Sequence, residues 1–309
     1  MSRSPLSAFS ATFLLLVFTG WPSTATMAST GCSDELLCIS DVRTTDGIEC
    51  HAENRGDAPI TFTLKVSASH HRGRRDKVIT DTLAPRQSQT VFAFEPRGNG
   101  RQGEFCYNYR STIGDLDAEH DDEHIYRFPY ATGKSYGVLQ GYGSRFSHTG
   151  RERYSVDFNM PEGTPVMAAR AGVVADYEES NSIGCWEDHC GNFANFLVIA
   201  HDDGTTGEYY HLLQNGVLVE RGQRVEAGQK VALSGNTGHT TMPHLHFGVY
   251  RAESWGRYQS IPVRFISADG IIDRPRRGGR YQAISLKQAN RKYGNIPSVY
   301  QFSSQEATL

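Results

Sequence analysis

The chain lacks a surplus of basic residues. Lys and Arg number 31 against 34 Asp and Glu, for a formal net charge of -3 and a pI near 6.5. Binding to nucleic acid phosphates rests on such a surplus, so that class of partner is excluded. No apolar run approaches the roughly 20 residues that a membrane-spanning helix needs. No HExxH occurs, which removes the commonest helical zinc proteases. Helical periodicity is scarce as well, and amphipathic runs of convincing length are missing from the second half of the chain.

What is present suits a globular protein. The 309 residues allow two domains, and 38% hydrophobic and 11% aromatic residues can build a real core. The opening "MSRSPLSAFSATFLLLVFTGWPSTATMA" has Arg3 as a short basic region, an apolar stretch from Phe9 to Phe18 and small residues ending at Ala28, the pattern of a cleaved export signal over 1–28. A periplasmic or secreted location follows. It makes the six cysteines readable as disulfides; of the fifteen pairings that six cysteines allow, Cys32 with Cys38, Cys50 with Cys106 and Cys185 with Cys190 is the preferred one. "CWEDHC" lacks the second paired-Cys motif of a zinc site and reads as a disulfide ring.

From 29 to 113, short alternating runs such as "IECHAEN", "PITFTLKVSAS" and "SQTVFAFEP" predict a β-sandwich-like domain. Residues 114–129, with "GDLDAEHDDEH", read as an acidic linker from which His120, His124 or a neighbouring Asp could reach a metal and impose latency. Strands dominate again over 130–268, and 269–309 reads as a C-terminal tail bearing the basic cluster "RPRRGGR". The fold class is mainly β, the second domain an open antiparallel sheet. "GNGRQG" at 98–103 matches a dinucleotide fingerprint but leads into a strand, so it reads as a turn.

Residues two apart on a strand share a face. In "HLHF", His244 and His246 therefore point together, away from Leu245 and Phe247. Asp157 in "YSVDF" and His211 in "YYHLL" are likewise presented opposite apolar neighbours. One such histidine is usually structural; His201 reads that way, and so does His239, with lining of the groove from the loop before "HLH" as its alternative. Several on like faces beside a carboxylate suit zinc, whose catalytic sites keep three protein ligands and an open fourth position.

These motifs, "VDFNMPEGTPVMAARAGVV", then "YYHLL", then "SGNTGHTTMPHLHF", in that order, resemble the lysostaphin-type, LytM-like zinc metallopeptidases over about 130–265. The resemblance implies an open β-sheet groove with one Zn2+ on its floor and endopeptidase action on peptidoglycan peptides. It makes His246 and Asp157 zinc ligands and gives His211 and His244 the catalytic roles of general base and oxyanion stabiliser, in an order left open. The family's usual position for the remaining ligand, four residues before the Asp, is Arg153 here, and a guanidinium has no lone pair to offer. His148, nine residues before Asp157 with Gly150 able to turn the chain back, is the third ligand instead. The alternatives are a catalytically inactive relative that activates a cell-wall amidase, which a missing ligand would mark, and a carrier module suggested by "VERGQRVEAGQKVALSG", in which Lys230 lies inside a strand rather than at a hairpin tip.

Overall fold

The computed structural model describes residues 28–30, 32, 35–44, 47–70, 73–94 and 104–294. The export signal, apart from Ala28, and the "GNGRQG" string lie outside them. The N-terminal part is a two-sheet sandwich. One sheet runs in the order Ala28–Thr30, Leu37–Arg43, Ile48–Asn54, Ser88–Phe94, and the other places Ile60–His70 between Gly73–Leu83 and Glu104–Ile113. Alternation along these strands turns Leu37, Ile39, Cys50 and Ala52 of the first sheet onto Ile60, Phe62, Leu64 and Val66 of the second, and all eight are buried. At about 1.5–3 kcal/mol per buried aliphatic or aromatic side chain, this face is what holds the two sheets together.

Cys32 bonds Cys38 and Cys185 bonds Cys190, as the sequence suggests. The Cys50–Cys106 pairing is a correction, because both thiols are free. Cys50 points into the sandwich core from one sheet. Cys106 alternates with Tyr107 and Tyr109, which pack on that core, so it faces solvent from the other sheet. Side chains on an inner and an outer face cannot be joined without inverting a strand.

The larger part is a nine-stranded antiparallel sheet. Its order is Arg224–Val225, Gly172–Glu178, Phe196–Ala200, Thr206–Tyr210, Leu245–Glu253, Val156–Phe158, Ser135–Gln140 and Arg280–Gln282, with Arg257–Ser260 also on Leu245–Glu253. One face carries Val138, Val156, Phe158, Tyr209, Leu245, Phe247 and Val249 into the main core. Cross-strand register stacks Phe247 between Val156 and Tyr209, and the same register sets His246 between Asp157 and Tyr210 on the other face. One period-two pattern thus builds the core and the candidate centre together.

Two segments differ from their sequence reading. Within 114–129, Ile125–Arg127 pairs in parallel with Arg264–Ser267, and Tyr126 and Phe128 are buried in the main core. Past 268, Gly270–Ile272 pairs with Arg264–Ser267, Arg280–Gln282 joins the edge of the large sheet, and a helix follows over Leu286–Tyr293. The helix starts at a capping box in which the Ser285 hydroxyl accepts from the Gln288 N–H and the Gln288 side chain accepts from Ser285. These strands of three residues are too short to display periodicity, so composition alone made them look like linker and tail. A GxSxG string does occur at 133–137, but it opens the strand Ser135–Gln140 instead of a strand-to-helix elbow, so Ser135 has no nucleophile geometry.

His120 and His124 do not join the candidate metal ligands. His120 contacts Asp122 and the Tyr126 hydroxyl, and the His124 ring packs edge-on to Tyr126 at 4.9 Å. Arg170 donates to Tyr126 and to Asp203 at 3.0 and 2.6 Å, and buried His201 donates Nδ1–H to the Ala171 carbonyl at 2.9 Å. Burial first, then the Arg170 charge, push His201 down to about 3 and His124 to about 4. Both are neutral in the fold but take up protons near 6.5 when unfolded, so stability falls as pH drops from 6.5 toward 4. In denaturant titrations with chelator present, His201→Gln should give a pH slope about 1.4 kcal/mol per unit shallower than wild type over that range, one proton's worth. Parallel slopes would show that His201 titrates in the folded chain.

Candidate metal centre

Asp157 and His246 face each other across antiparallel strands, and His246 Nδ1 lies 2.9 Å from Asp157 Oδ1. His148 arrives from a loop. The chain leaves the sheet at Gln140, passes Gly141, whose missing Cβ would fall 2.1 Å from the Pro275 carbonyl oxygen, and reverses at Gly150 with φ +55°. That left-handed turn, cheap only for glycine, brings His148 Nε2 to 3.1 Å from Asp157 Oδ1. Arg153, at the family's usual ligand position, is turned instead toward the Tyr154 ring. His148, Asp157 and His246 are 0%, 2% and 3% exposed, and one donor atom from each lies within 4.8 Å of the other two.

Zinc–ligand bonds of ~2.0–2.1 Å put neighbouring donors about 3.4 Å apart on a tetrahedron, so separations of 2.9 and 3.1 Å fit a zinc-sized ion. The outer hydrogen bonds fit as well. His148 Nδ1–H donates to the Gly141 carbonyl at 3.3 Å, leaving Nε2 for a metal, and Gln140 donates to Asp157 Oδ2 at 2.6 Å. Burial acts to raise the Asp157 pKa, but the charge and hydrogen bond of His148 and the bond from His246 outweigh it and hold the carboxyl well below the usual range. Burial lowers His246, and hydrogen bonds to Asp157 and Glu152 more than compensate, raising it to about 9. A cation taken up there would displace that proton, so metal uptake releases acid.

Beside this triad stand two imidazoles with free nitrogens. His211 donates Nδ1–H to the Thr237 carbonyl at 2.7 Å and His244 donates Nδ1–H to the Met242 carbonyl at 2.8 Å. Their rings are 4.5 Å apart, and both Nε2 atoms are buried with no hydrogen-bond partner. His244 Nε2 is 3.9 Å from Asp157 Oδ2. Burial first, then the charges of His244 and His246, hold His211 well below the usual histidine range, so it is neutral with a lone pair on Nε2. His211 also has φ +63°, a conformation that costs a non-glycine residue of order 1 kcal/mol or more and is found mostly where function demands it.

The rim comes from three loops. Phe146, 66% exposed, stacks on Trp186 at 5.4 Å, and Trp186 packs on His239 at 4.4 Å. The Cys185–Cys190 ring closes the Trp186 loop, and the pairing of Gly184–Cys185 with Gly238–His239 fixes it to the His239 loop. His239 thus sits beneath Trp186. Gln140, Glu152 and Tyr250 escape the sequence reading. Tyr250 lies four residues beyond His246 on the same strand face and was legible by alternation, whereas "GRER" reads as solvated charge and gives no sign that Glu152 is 6% exposed.

Residues 151–258 match peptidase family M23. The peptidoglycan DD-endopeptidase ShyA of Vibrio cholerae is 41% identical over 91 residues, 29% of this chain and 18% of its own length. The glycyl-glycine endopeptidase ALE-1 of Staphylococcus capitis is 38% identical over 122 residues, 39% of this chain and 31% of its own length. The chain therefore spans less than a third of either curated relative. The crystallised catalytic domain of lysostaphin from Staphylococcus simulans is 32% identical, with 42% of this chain matching 88% of that one at a TM-score of 0.29.

Proposed function

We infer, because the chain belongs to peptidase family M23, that it is an exported zinc metalloendopeptidase that hydrolyses peptide bonds in bacterial peptidoglycan, in cross-links or stem peptides. The observation that carries this reading is the convergence of His148, Asp157 and His246 beside two buried imidazole nitrogens that no hydrogen bond engages. His148, Asp157 and His246 would hold the zinc ion, which when bound would lower the pKa of a coordinated water toward neutrality and polarise the scissile carbonyl.

The chain's own residues do the rest. Nδ1–H of His211 is pinned on Thr237 and Nδ1–H of His244 on Met242, so each ring turns Nε2 inward. One accepts the proton of the attacking water at Nε2 and later returns that proton to the leaving amine; the other, carrying on Nε2 a proton taken up from solvent, keeps it and donates a hydrogen bond to the substrate oxyanion. Low exposure around these groups strengthens each interaction. Export rests on the N-terminal signal pattern, and no helix among the described residues is long and apolar enough to cross a membrane.

Digestion of purified peptidoglycan tests the reading. The mature protein should release muropeptides with new amino termini at single peptide bonds, a chelator should abolish the release, and Zn2+ should restore it. Stoichiometric zinc with no bond cleaved, but with a cell-wall amidase stimulated, would replace the peptidase by the regulator. The filled third ligand position favours the peptidase.

A further inference from the structure

The loop that delivers His148 delivers a second group to the centre. After the turn at Gly150, the short helix Gly150–Glu152 places the Glu152 carboxylate behind His246, on the side away from Asp157. Glu152 Oε2 accepts from the Tyr250 hydroxyl at 2.6 Å and from Ser155 at 3.1 Å, and Oε1 accepts from Tyr258 at 3.2 Å. The Tyr250 oxygen in turn lies 3.2 Å from His246 Nε2, while Glu152 itself is 3.6 Å from that nitrogen.

A phenol has one proton. When Tyr250 gives it to Glu152 across 2.6 Å, its oxygen can only accept from His246, so His246 must carry hydrogen on Nε2. The proton that a cation displaces is then the one on Nδ1, which frees that nitrogen's lone pair for the point shared with His148 and Asp157. Two buried anions, Asp157 and Glu152, would also balance a divalent charge.

We propose that Glu152 is a positioning residue of the metal centre: through the Tyr250 hydroxyl it fixes His246 in the tautomer that presents Nδ1 to the ion. The proposal rests on the metal-centre reading above and adds to it a relay made of this chain's own side chains. Relays of a carboxylate to a ligating histidine typically affect metal affinity 10–100-fold.

The full mature chain tests it by competition with a zinc chelator and by long-range proton–nitrogen spectra of the zinc-loaded protein. Glu152→Gln removes the charge, and Tyr250→Phe removes only the bridging hydroxyl, which keeps the test decisive should the first variant misfold. Both should raise the zinc dissociation constant about 10–100-fold. Tyr250→Phe should also lose the hydrogen-bonded Nε2–H resonance of His246, with the metal-free melting curve still cooperative. Unchanged affinity and an unchanged His246 spectrum in a folded variant would overturn the positioning role while leaving the centre intact. A wild-type chain that binds no zinc would overturn the centre and this proposal together.

Discussion

His148→Ala should cost at least about a hundredfold in zinc affinity and abolish hydrolysis of peptidoglycan peptides. Protein zinc sites bind with ~10–16 kcal/mol in all, so one of four coordination positions is worth about 3 kcal/mol, more than a hundredfold. The loss should appear in chelator competition as well as in muropeptide release. His148 is completely buried, and its removal opens a cavity under the loop, so the metal-free melting temperature should fall modestly too. Affinity unchanged in the variant would mean that the loop histidine is only packing and that the ion, if bound, is held by another set.

His211→Ala should leave zinc in place and lower kcat/KM by about a hundred- to ten-thousandfold, the usual range for a removed general acid or base. His211 is not among the converging donors, its ring sits beside His244, and its Nε2 has no other use in the fold. Its positive φ adds a complication, because alanine is strained there as well. Asparagine tolerates that conformation better, so His211→Asn separates the effects: stability and zinc content close to wild type, activity as low as alanine's. A variant with wild-type turnover would leave His244 as the single participating imidazole.

Much of the centre was legible in the sequence because it is written in strand parity. "HLHF" and "SVDF" each place one face in the core and the other at the site, and antiparallel pairing sets Asp157 opposite His246. His148 is harder to see. It precedes the family match, which starts at residue 151, and it reaches the site through a turn whose only local mark is Gly150. Glu152 and Gln140 were illegible for the reason buried polar residues generally are: their composition says surface, and only tertiary pairing says otherwise. The Cys50–Cys106 expectation failed where parity could have corrected it, since Tyr107 and Tyr109 put the intervening positions outward. The segments 114–129 and 269–293 show the limit of periodicity, because a strand of three residues such as Ile125–Arg127 or Arg280–Gln282 spans barely one alternation.

The strand Ser135–Gln140, whose last residue grips Asp157, has Val156–Phe158 on one side and Arg280–Gln282 on the other, with Gly137 opposite Arg280. That outer neighbour comes from far along the chain, so until it docks Ser135–Gln140 is an unpaired sheet edge. Such an edge is a template on which a second copy could add, one strand away from the centre.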